Sequence, residues 1–189
     1  MRILVIGDFH IPERAERIPK KIVDKISKEK FDLILCTGDL TERKVLEFLS
    51  SIAPVKWVMG NMDYLTGPLM EKVRIGDLRI GLIHGTEIYP RGDVRQLHMK
   101  ARELGVNILI SGHTHAADIK LVEGILLLNP GSATGVWGGY RYASMIPSFM
   151  ILEITENGRK ILVRLYELKN ILKETRREFI LSEKGLSEI

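Results

Sequence analysis

Five short apolar runs, each followed by a polar residue that can bind a metal ion, constrain the fold of this chain most strongly. The runs ILVIG, LILCTG, KWVMG, RIGLI and ILISG have the length and composition of buried strands. They predict strands at residues 2–6, 32–37, 55–59, 78–83 and 106–111. Polar stretches of helical period separate them and predict helices at about residues 18–30, 42–52 and 92–104.

The second half of the chain is richer in strands. Further strands are predicted at residues 117–122, 124–128, 148–154 and 160–167, with hairpin-like turns at Glu123-Gly124 and Glu156-Asn157-Gly158. This pattern is typical of an α/β protein in which two mixed β-sheets pack together and helices flank them. A chain of 189 residues is long enough for one such domain. We assign it to residues 1–167 and predict a charged tail at 168–189 that is helical, frayed or both.

Composition narrows the function classes. No apolar run approaches the roughly 18 residues of a membrane span, and no signal-peptide pattern opens the chain, so we expect a cytoplasmic protein. The single cysteine, Cys36, cannot form an intramolecular disulfide or a thiolate metal cluster. The net charge of +4 suits an anionic ligand. However, no basic stripe is interleaved with aromatic residues, so nucleic acid is not expected as a dedicated partner.

The polar residues after the five runs can converge on one site. In layered α/β sheets, ligands collect at the carboxyl ends of the strands. Two of these places also offer paired side chains, Asp8 with His10 and His113 with His115, and residues two apart in an extended chain point to the same side. The predicted metal ligands are Asp8, His10, Asp39, Asn61, His84, His113 and His115.

Each element alone has a simpler interpretation. A single Asp-x-His at a strand end is more often turn chemistry, and a single buried His84 is more often a core residue. We exclude Asp77 as part of a hairpin turn, Asp93 as a helix N-cap and His98 as a structural or surface helix residue. The glycine-rich residues 129–139 match neither nucleotide-binding pattern and predict a structural turn near the site. The combination of all five strand ends carries the hypothesis.

The donor atoms and their charge indicate the chemistry. Oxygen from Asp and Asn with nitrogen from His suits Mn, Fe, Zn, Co or Ni. Two divalent cations against the carboxylates of Asp8 and Asp39 leave roughly +2 for a hydroxide and an anionic substrate. A phosphate ester fits this balance, because paired ions activate a bridging water and hold two oxygens of an in-line phosphoryl displacement.

The motifs resemble those of a known family. GDFH at residue 7, GDLT at 38, GNMD at 60, LIHG at 82, GHTH at 112 and NPGSATG at 129 follow one another as in the calcineurin-like metallophosphoesterases. Within that superfamily the chain is similar to the small YfcE-type phosphodiesterases and to the vacuolar-sorting retromer subunit. The resemblance spans residues 1–167 and implies a four-layer αββα sandwich with two divalent metal ions, manganese first, with nickel, cobalt, zinc or iron as alternatives.

The resemblance also implies a role for each ligand. Asp39 would bridge the two ions, and Asn61 would share in catalysis with it. Asp63 would orient groups near the site. The first ion would be held by Asp8, His10 and His115, and the second by Asn61, His84 and His113.

The expected activity is hydrolysis of a small-molecule phosphodiester by a metal-bridging hydroxide. Many relatives have a histidine where this chain has Met62, and a thioether cannot donate a proton. We therefore expect slower turnover that depends on the leaving group. The alternative is a metal-binding scaffold or protein-interaction module with little or no catalysis. A homo-oligomer or a protein partner is compatible with either.

Overall fold

The computed structural model describes residues 1–139 and 143–189, which form three α-helices and two β-sheets. The helices are α1 (Lys20–Ser27), α2 (Arg43–Ile52) and α3 (Val94–Leu104). The strands are β1 (Arg2–Ile6), β2 (Leu33–Cys36), β3 (Val55–Trp57), β4 (Met70–Ile75), β5 (Leu78–Ile83), β6 (Ile108–Ile110), β7 (Asp118–Val122), β8 (Ile125–Asn129), β9 (Ser148–Thr155), β10 (Lys160–Leu168), β11 (Leu172–Ser182) and β12 (Gly185–Glu188).

Both sheets are mixed, as predicted. The seven-stranded sheet has the order β12-β11-β10-β9-β1-β2-β3, in which β1, β2 and β3 run parallel and the remaining pairs are antiparallel. The five-stranded sheet has the order β4-β5-β6-β8-β7, with β5, β6 and β8 parallel and an antiparallel strand at each edge. Four of the strands that precede candidate ligands therefore lie inside the sheets, namely β1, β2, β5 and β6. The fifth, β3, lies at the edge of the seven-stranded sheet.

Alternation along the strands builds the layers. Because successive side chains of a strand point to opposite faces, Ile3 and Val5 of β1 enter the core between the two sheets. Leu4 and Ile6 of the same strand pack instead on the other face, against α1 and α2. On the far side of the five-stranded sheet, Leu97 and other residues of α3 pack against β5, β6 and β8. The result is the predicted four-layer αββα sandwich.

Two residues in the connections have the structural roles that were predicted from the sequence. Asp93 caps α3, since its side chain accepts the backbone N–H of Gln96 at 2.9 Å. Asp77 lies in the turn between β4 and β5, outside the site. The strand β4 itself was not predicted, because its alternating residues MEKVRI lie on a sheet edge with one face exposed.

The helix predicted for the tail at 168–189 is wrong. Residues of this segment form β11 and β12, which extend the seven-stranded sheet beyond β10. Of the charged residues that suggested a solvated helix, Lys173, Arg176 and Glu178 occupy exposed positions of β11, whereas Glu174 and Arg177 are half-buried. Phe179 and Leu186 point inward and are buried in the core between the sheets. From Arg176 to Ser182, exposed and covered side chains alternate with the period of two that is typical of a strand.

Within the described part of the chain, no helix has the length and apolar character needed to cross a membrane.

Candidate metal centre

The structure brings the seven predicted ligands together at one end of the sandwich. Asp8 and His10 follow β1, Asp39 follows β2, and Asn61 comes shortly after β3. From the other sheet, His84 follows β5, whereas His113 and His115 come after β6. Apart from Asn61, which is exposed at the mouth, these side chains are buried, with Asp8 0% and His113 7% exposed. Strand ends of two different sheets therefore supply one site.

A first group of donors surrounds His10 and His115. The ligand atoms of Asp8, His10, Asp39 and His115 all lie within 4.8 Å of one another. The Nε2 atoms of His10 and His115 are 3.0 Å apart, and His115 Nε2 lies 3.5 Å from Asp8 Oδ1. These distances place the four donors around a common centre.

A second group of donors surrounds His84. Its Nε2 atom lies 3.1 Å from Asn61 Oδ1 and 3.2 Å from His113 Nδ1. The same Nε2 atom is 3.5 Å from Asp39 Oδ2. Asp39 Oδ2 is in turn 3.3 Å from His10 Nε2, so one carboxylate oxygen is shared by the two groups.

Backbone carbonyls fix the orientation of two imidazoles. A carbonyl oxygen can only accept, so His84 Nδ1 donates to the oxygen of Thr37 at 2.7 Å. His115 Nδ1 likewise donates to the oxygen of Val136 at 2.7 Å. In a neutral ring with this tautomer, the Nε2 lone pair points into the site. This is the arrangement by which proteins orient metal-binding histidines.

The donor set fits divalent cations. With Nδ1 of His84 donating to the Thr37 carbonyl, its Nε2 faces the oxygens of Asn61 and Asp39, so three atoms that can bind a metal converge. Among residues 1–139 and 143–189, the ion-pair contacts of Asp8 and Asp39 are with histidines alone. Buried carboxylates without a cationic partner are costly, and bound cations would remove that cost.

Burial sets the protonation of these groups. Burial foremost, together with the charges of neighbouring histidines and arginines, lowers the pKa of His10 and of His113 to about 3 and that of His115 to about 4. The three rings are therefore neutral at pH 7, which is the form that binds metals. Burial raises the pKa of Asp8, to which the charge of Asp39 also contributes, and burial raises the pKa of Asp39.

Five of the candidate ligands have a left-handed backbone. The φ angles are 50° at Asp8, 50° at His10, 51° at Asp39, 68° at His113 and 55° at His115. For residues other than glycine this conformation costs about 1–2 kcal/mol each. Such strain concentrates at functional sites, where the surrounding structure holds it in place. The concentration of strained residues here marks the strand ends as a site independently of side-chain chemistry.

Asp63 supports the site from below rather than entering it. Its carboxylate accepts three backbone N–H groups, those of Asp39 (2.9 Å), Gly60 (2.8 Å) and Thr41 (2.9 Å). The backbone N–H of Met62 donates to Asp39 Oδ1 at 2.8 Å. The loops after β2 and β3 are therefore tied to each other around Asp39.

The glycine-rich residues 129–139 act as the predicted structural turn. Ser132 Oγ donates to the carbonyl of Asp8 at 2.7 Å, and Thr134 Oγ1 donates to that of Phe9 at 2.8 Å. Gly138 lies against the ring of His115, so close that a Cβ atom there would be 2.6 Å from Cδ2. The turn thus braces the loop after β1 and one imidazole.

Two arginines at the site were not predicted. Arg14 and Arg91 line the cavity of about 40 Å³ that lies above the candidate ligands. Arg14 follows the Asp8-x-His10 motif by four residues, and Arg91 follows His84 by seven. Their closeness in sequence to predicted ligands is the one feature that could have indicated a place in the site. Because the chain has 28 Lys and Arg residues, that closeness alone does not distinguish these two from the others.

Comparison with known proteins is consistent with this geometry. The family model of the calcineurin-like phosphoesterase superfamily domain matches residues 1–157. A probable metallophosphoesterase of Methanocaldococcus jannaschii is 48% identical over 134 residues, which cover 71% of this chain and 69% of that protein.

Solved structures show the same fold. A single mutant of Vps29 from Entamoeba histolytica is 38% identical, with a TM-score of 0.88 over 95% of this chain and 99% of that one. Wild-type Vps29 from the same organism, complexed with zinc, is 38% identical with a TM-score of 0.86 over 94% and 99%. The structural similarity reaches beyond residue 167. The resemblance inferred from the motifs is confirmed, and this chain belongs to the calcineurin-like phosphoesterase superfamily.

Proposed function

We propose that this protein is a metal-dependent phosphodiesterase with two divalent ions in its site. In this assignment Asp39 contacts both ions. Asp8, His10 and His115 hold the first, and Asn61, His84 and His113 hold the second. The observation that carries the proposal is the position of Asp39 Oδ2, 3.3 Å from His10 Nε2 and 3.5 Å from His84 Nε2. One oxygen between two sets of nitrogen and oxygen donors is the arrangement that a bridging carboxylate requires.

Manganese is our first choice of metal. The carboxylate and amide oxygens of the site suit manganese, whereas its imidazoles suit the alternatives Ni, Zn and Fe, with Co as a further alternative. The zinc complex of Vps29 shows that a relative with this fold binds a divalent ion. When bound, the ions supply Lewis-acid polarisation of the phosphoryl oxygens and lower the pKa of a bound water.

The residues of the chain account for the rest of the reaction. In the hydrolysis, a water oxygen forms a bond to phosphorus as one ester P–O bond breaks, which gives a phosphomonoester and an alcohol. Asp63 acts by orienting the loop of Asp39 through its three backbone hydrogen bonds. Met62 cannot protonate the departing alkoxide. Turnover should therefore be fastest for esters whose leaving group is already stable as an anion.

The test is hydrolysis of bis(p-nitrophenyl) phosphate after reconstitution with Mn, Ni, Co or Zn, together with a measured metal-to-protein ratio. Wild type should bind two ions per chain and release p-nitrophenol. Asp39→Asn should lose one ion and reduce turnover by about 100-fold or more. Asp24→Asn, which changes an exposed carboxylate on α1, is the matched control and should retain wild-type activity. A wild type that holds two ions but hydrolyses no phosphate ester with any of the four metals contradicts the proposal.

The second candidate is a protein-interaction module. It is favoured by the similarity to Vps29 over nearly the whole chain and by Met62 at a position where many relatives have histidine. Full metal occupancy with no phosphoesterase activity would support this alternative.

A further inference from the structure

Arg14 and Arg91 belong to the same cavity as the candidate ligands. They line it together with His10, Asp39 and His113. Ion pairs formed within residues 1–139 and 143–189 include neither arginine. Two guanidinium groups at the mouth of a cation site add repulsion unless an anion lies between them and the metal ions.

One loop holds both arginines in place. Arg14 Nη1 donates to the carbonyl of Trp137 at 3.2 Å, and Arg91 Nη1 donates to that of the next residue, Gly138, at 2.7 Å. Each of these bonds uses one of the five N–H groups of a guanidinium. Within residues 1–139 and 143–189 the remaining N–H groups have no other hydrogen-bond partner, and they can bind phosphate oxygens in the paired manner that arginine favours.

The charge of the site exceeds what a simple phosphodiester can neutralise. The carboxylates of Asp8, Asp39 and the adjacent Asp63, together with one hydroxide, offset the charge of two divalent ions, and the two arginines then leave roughly +2. A phosphodiester with no other ionised group contributes a single negative charge. A substrate with an additional anionic group matches the site better.

A second cavity offers a place for that group. Arg91 also lines a neighbouring cavity of about 240 Å³, where the buried Ser111 and Thr114 form part of the wall. Lys120, which also lines this cavity, is paired with Asp118. Among the described residues, the uncompensated positive charge of the cavity therefore comes from Arg91. The volume is below the roughly 300 Å³ of typical small-molecule pockets, so it suits one substituent of a substrate rather than a whole molecule.

From these contacts we propose that Arg14 and Arg91 bind the anionic groups of the substrate, and that the substrate is a phosphodiester bearing a second phosphate. The scissile phosphate lies at the metal centre beside both guanidiniums. The second phosphate lies beyond Arg91, at the larger cavity. This assignment rests on the proposed phosphodiesterase function.

A matched pair of substrates tests the selectivity. Thymidine 5′-(p-nitrophenyl phosphate) and its 3′-phosphorylated form release the same chromophore and differ only in the second phosphate. Wild type should prefer the 3′-phosphorylated form by about tenfold in kcat/KM, as expected for one charge-assisted contact. Arg91→Gln should abolish the preference at unchanged metal content. Arg95→Gln, on the exposed side of α3, is the control and should retain it.

A binding measurement separates this proposal from the phosphodiesterase assignment. Titration calorimetry of the manganese-loaded protein with thymidine 3′,5′-bisphosphate and with thymidine 5′-monophosphate should show about tenfold tighter binding of the bisphosphate. Arg91→Gln should equalise the two, and Arg14→Gln should weaken both. If the bisphosphate keeps this advantage while neither ester is hydrolysed, the proposed role of the two arginines stands and the phosphodiesterase assignment fails. Equal affinities in wild type, or a preference that survives Arg91→Gln, overturn the proposed role of the arginines, even if the esters are hydrolysed.

Discussion

The carboxylate of Asp63 holds the backbone of Asp39, whose N–H donates to Asp63 Oδ2 at 2.9 Å. The same oxygen accepts from Gly60, and the other oxygen accepts from Thr41. In Asp63→Asn an NH₂ group replaces one of these acceptors, so at least one buried N–H loses its partner. We expect the free energy of unfolding to fall by about 1–3 kcal/mol. Metal affinity should fall by about tenfold or more, because Asp39 loses its support.

Urea unfolding and metal titration of Asp63→Asn measure the two effects separately. In the wild type the carboxylate of Asp24 pairs with Lys20 on the surface. Asp24→Asn removes this pair and should leave the free energy of unfolding and the metal affinity near their wild-type values. A variant that loses stability but binds metal as tightly as wild type would show that Asp63 does not position Asp39.

The buried histidines make the metal-free protein sensitive to acid. The pKa of His115 is about 4 in the folded chain against an ordinary value of 6.5, so the unfolded chain binds its proton more readily between these values. Stability is therefore lost as the pH falls from 6.5 toward 4. His10 and His113, with pKa values of about 3, act in the same direction.

Urea unfolding of chelator-treated protein at pH 7 and pH 5 should show this loss. His115→Gln removes one titrating ring, so its stability should decline less over the same interval. The raised pKa values of Asp8 and Asp39 act in the opposite sense, and because both carboxyls are present in both proteins their contributions cancel in the comparison. Parallel pH profiles for wild type and His115→Gln would contradict the expectation.

Gly138 is the point where the structural turn contacts the candidate ligand His115. A Cβ atom there would approach His115 Cδ2 to 2.6 Å, which is inside any normal contact distance. Gly138→Ala should therefore displace the imidazole and weaken metal binding by about tenfold or more, with a smaller effect on stability. Gly105→Ala provides the reverse pattern. Its Cβ would have open space at a φ of 66°, so it should cost about 1–2 kcal/mol and leave metal affinity intact. Equal metal affinities in the two variants would contradict the role of Gly138.

The tail strand β11 should contribute to the core. Phe179 is fully buried between the sheets, so Phe179→Ala should lower the free energy of unfolding by about 3–5 kcal/mol. Its neighbour Ile180 points outward and is 38% exposed. Ile180→Ala should therefore cost much less, of order 1 kcal/mol or below. Similar losses measured by urea unfolding would mean that β11 does not pack as a strand.

The sequence predicted the sheets and the convergence of the ligands for one physical reason. Buried parallel strands are apolar throughout, so the short, β-branched runs ILVIG and LILCTG favour strands over helices, and polar residues at their carboxyl ends stand out. Asp8 and Asp39 could be located in this way before any distance was known. The shared oxygen of Asp39 and the carbonyl partners of His84 and His115 could not, since they depend on how two sheets face each other.

Amphipathic and charged segments were harder to interpret. The segment LKETRREFILS is β11, but its charged residues dominate the pattern, and only the burial of Phe179 reveals which face is inward. Edge strand β4 was missed for the same reason. Arg14 and Arg91 lie in loops, where no periodicity indicates where a long side chain will point.

The left-handed backbone at five candidate ligand residues has a thermodynamic consequence. A sandwich of this size without those conformations would be more stable, so the stability of the metal-free chain lies below what its core could provide. Cations that bind only the native state stabilise it by an amount that grows with the logarithm of their concentration relative to their dissociation constant. The melting temperature of this protein should therefore rise with divalent-ion concentration and serve as a gauge of the occupancy of the proposed ion sites.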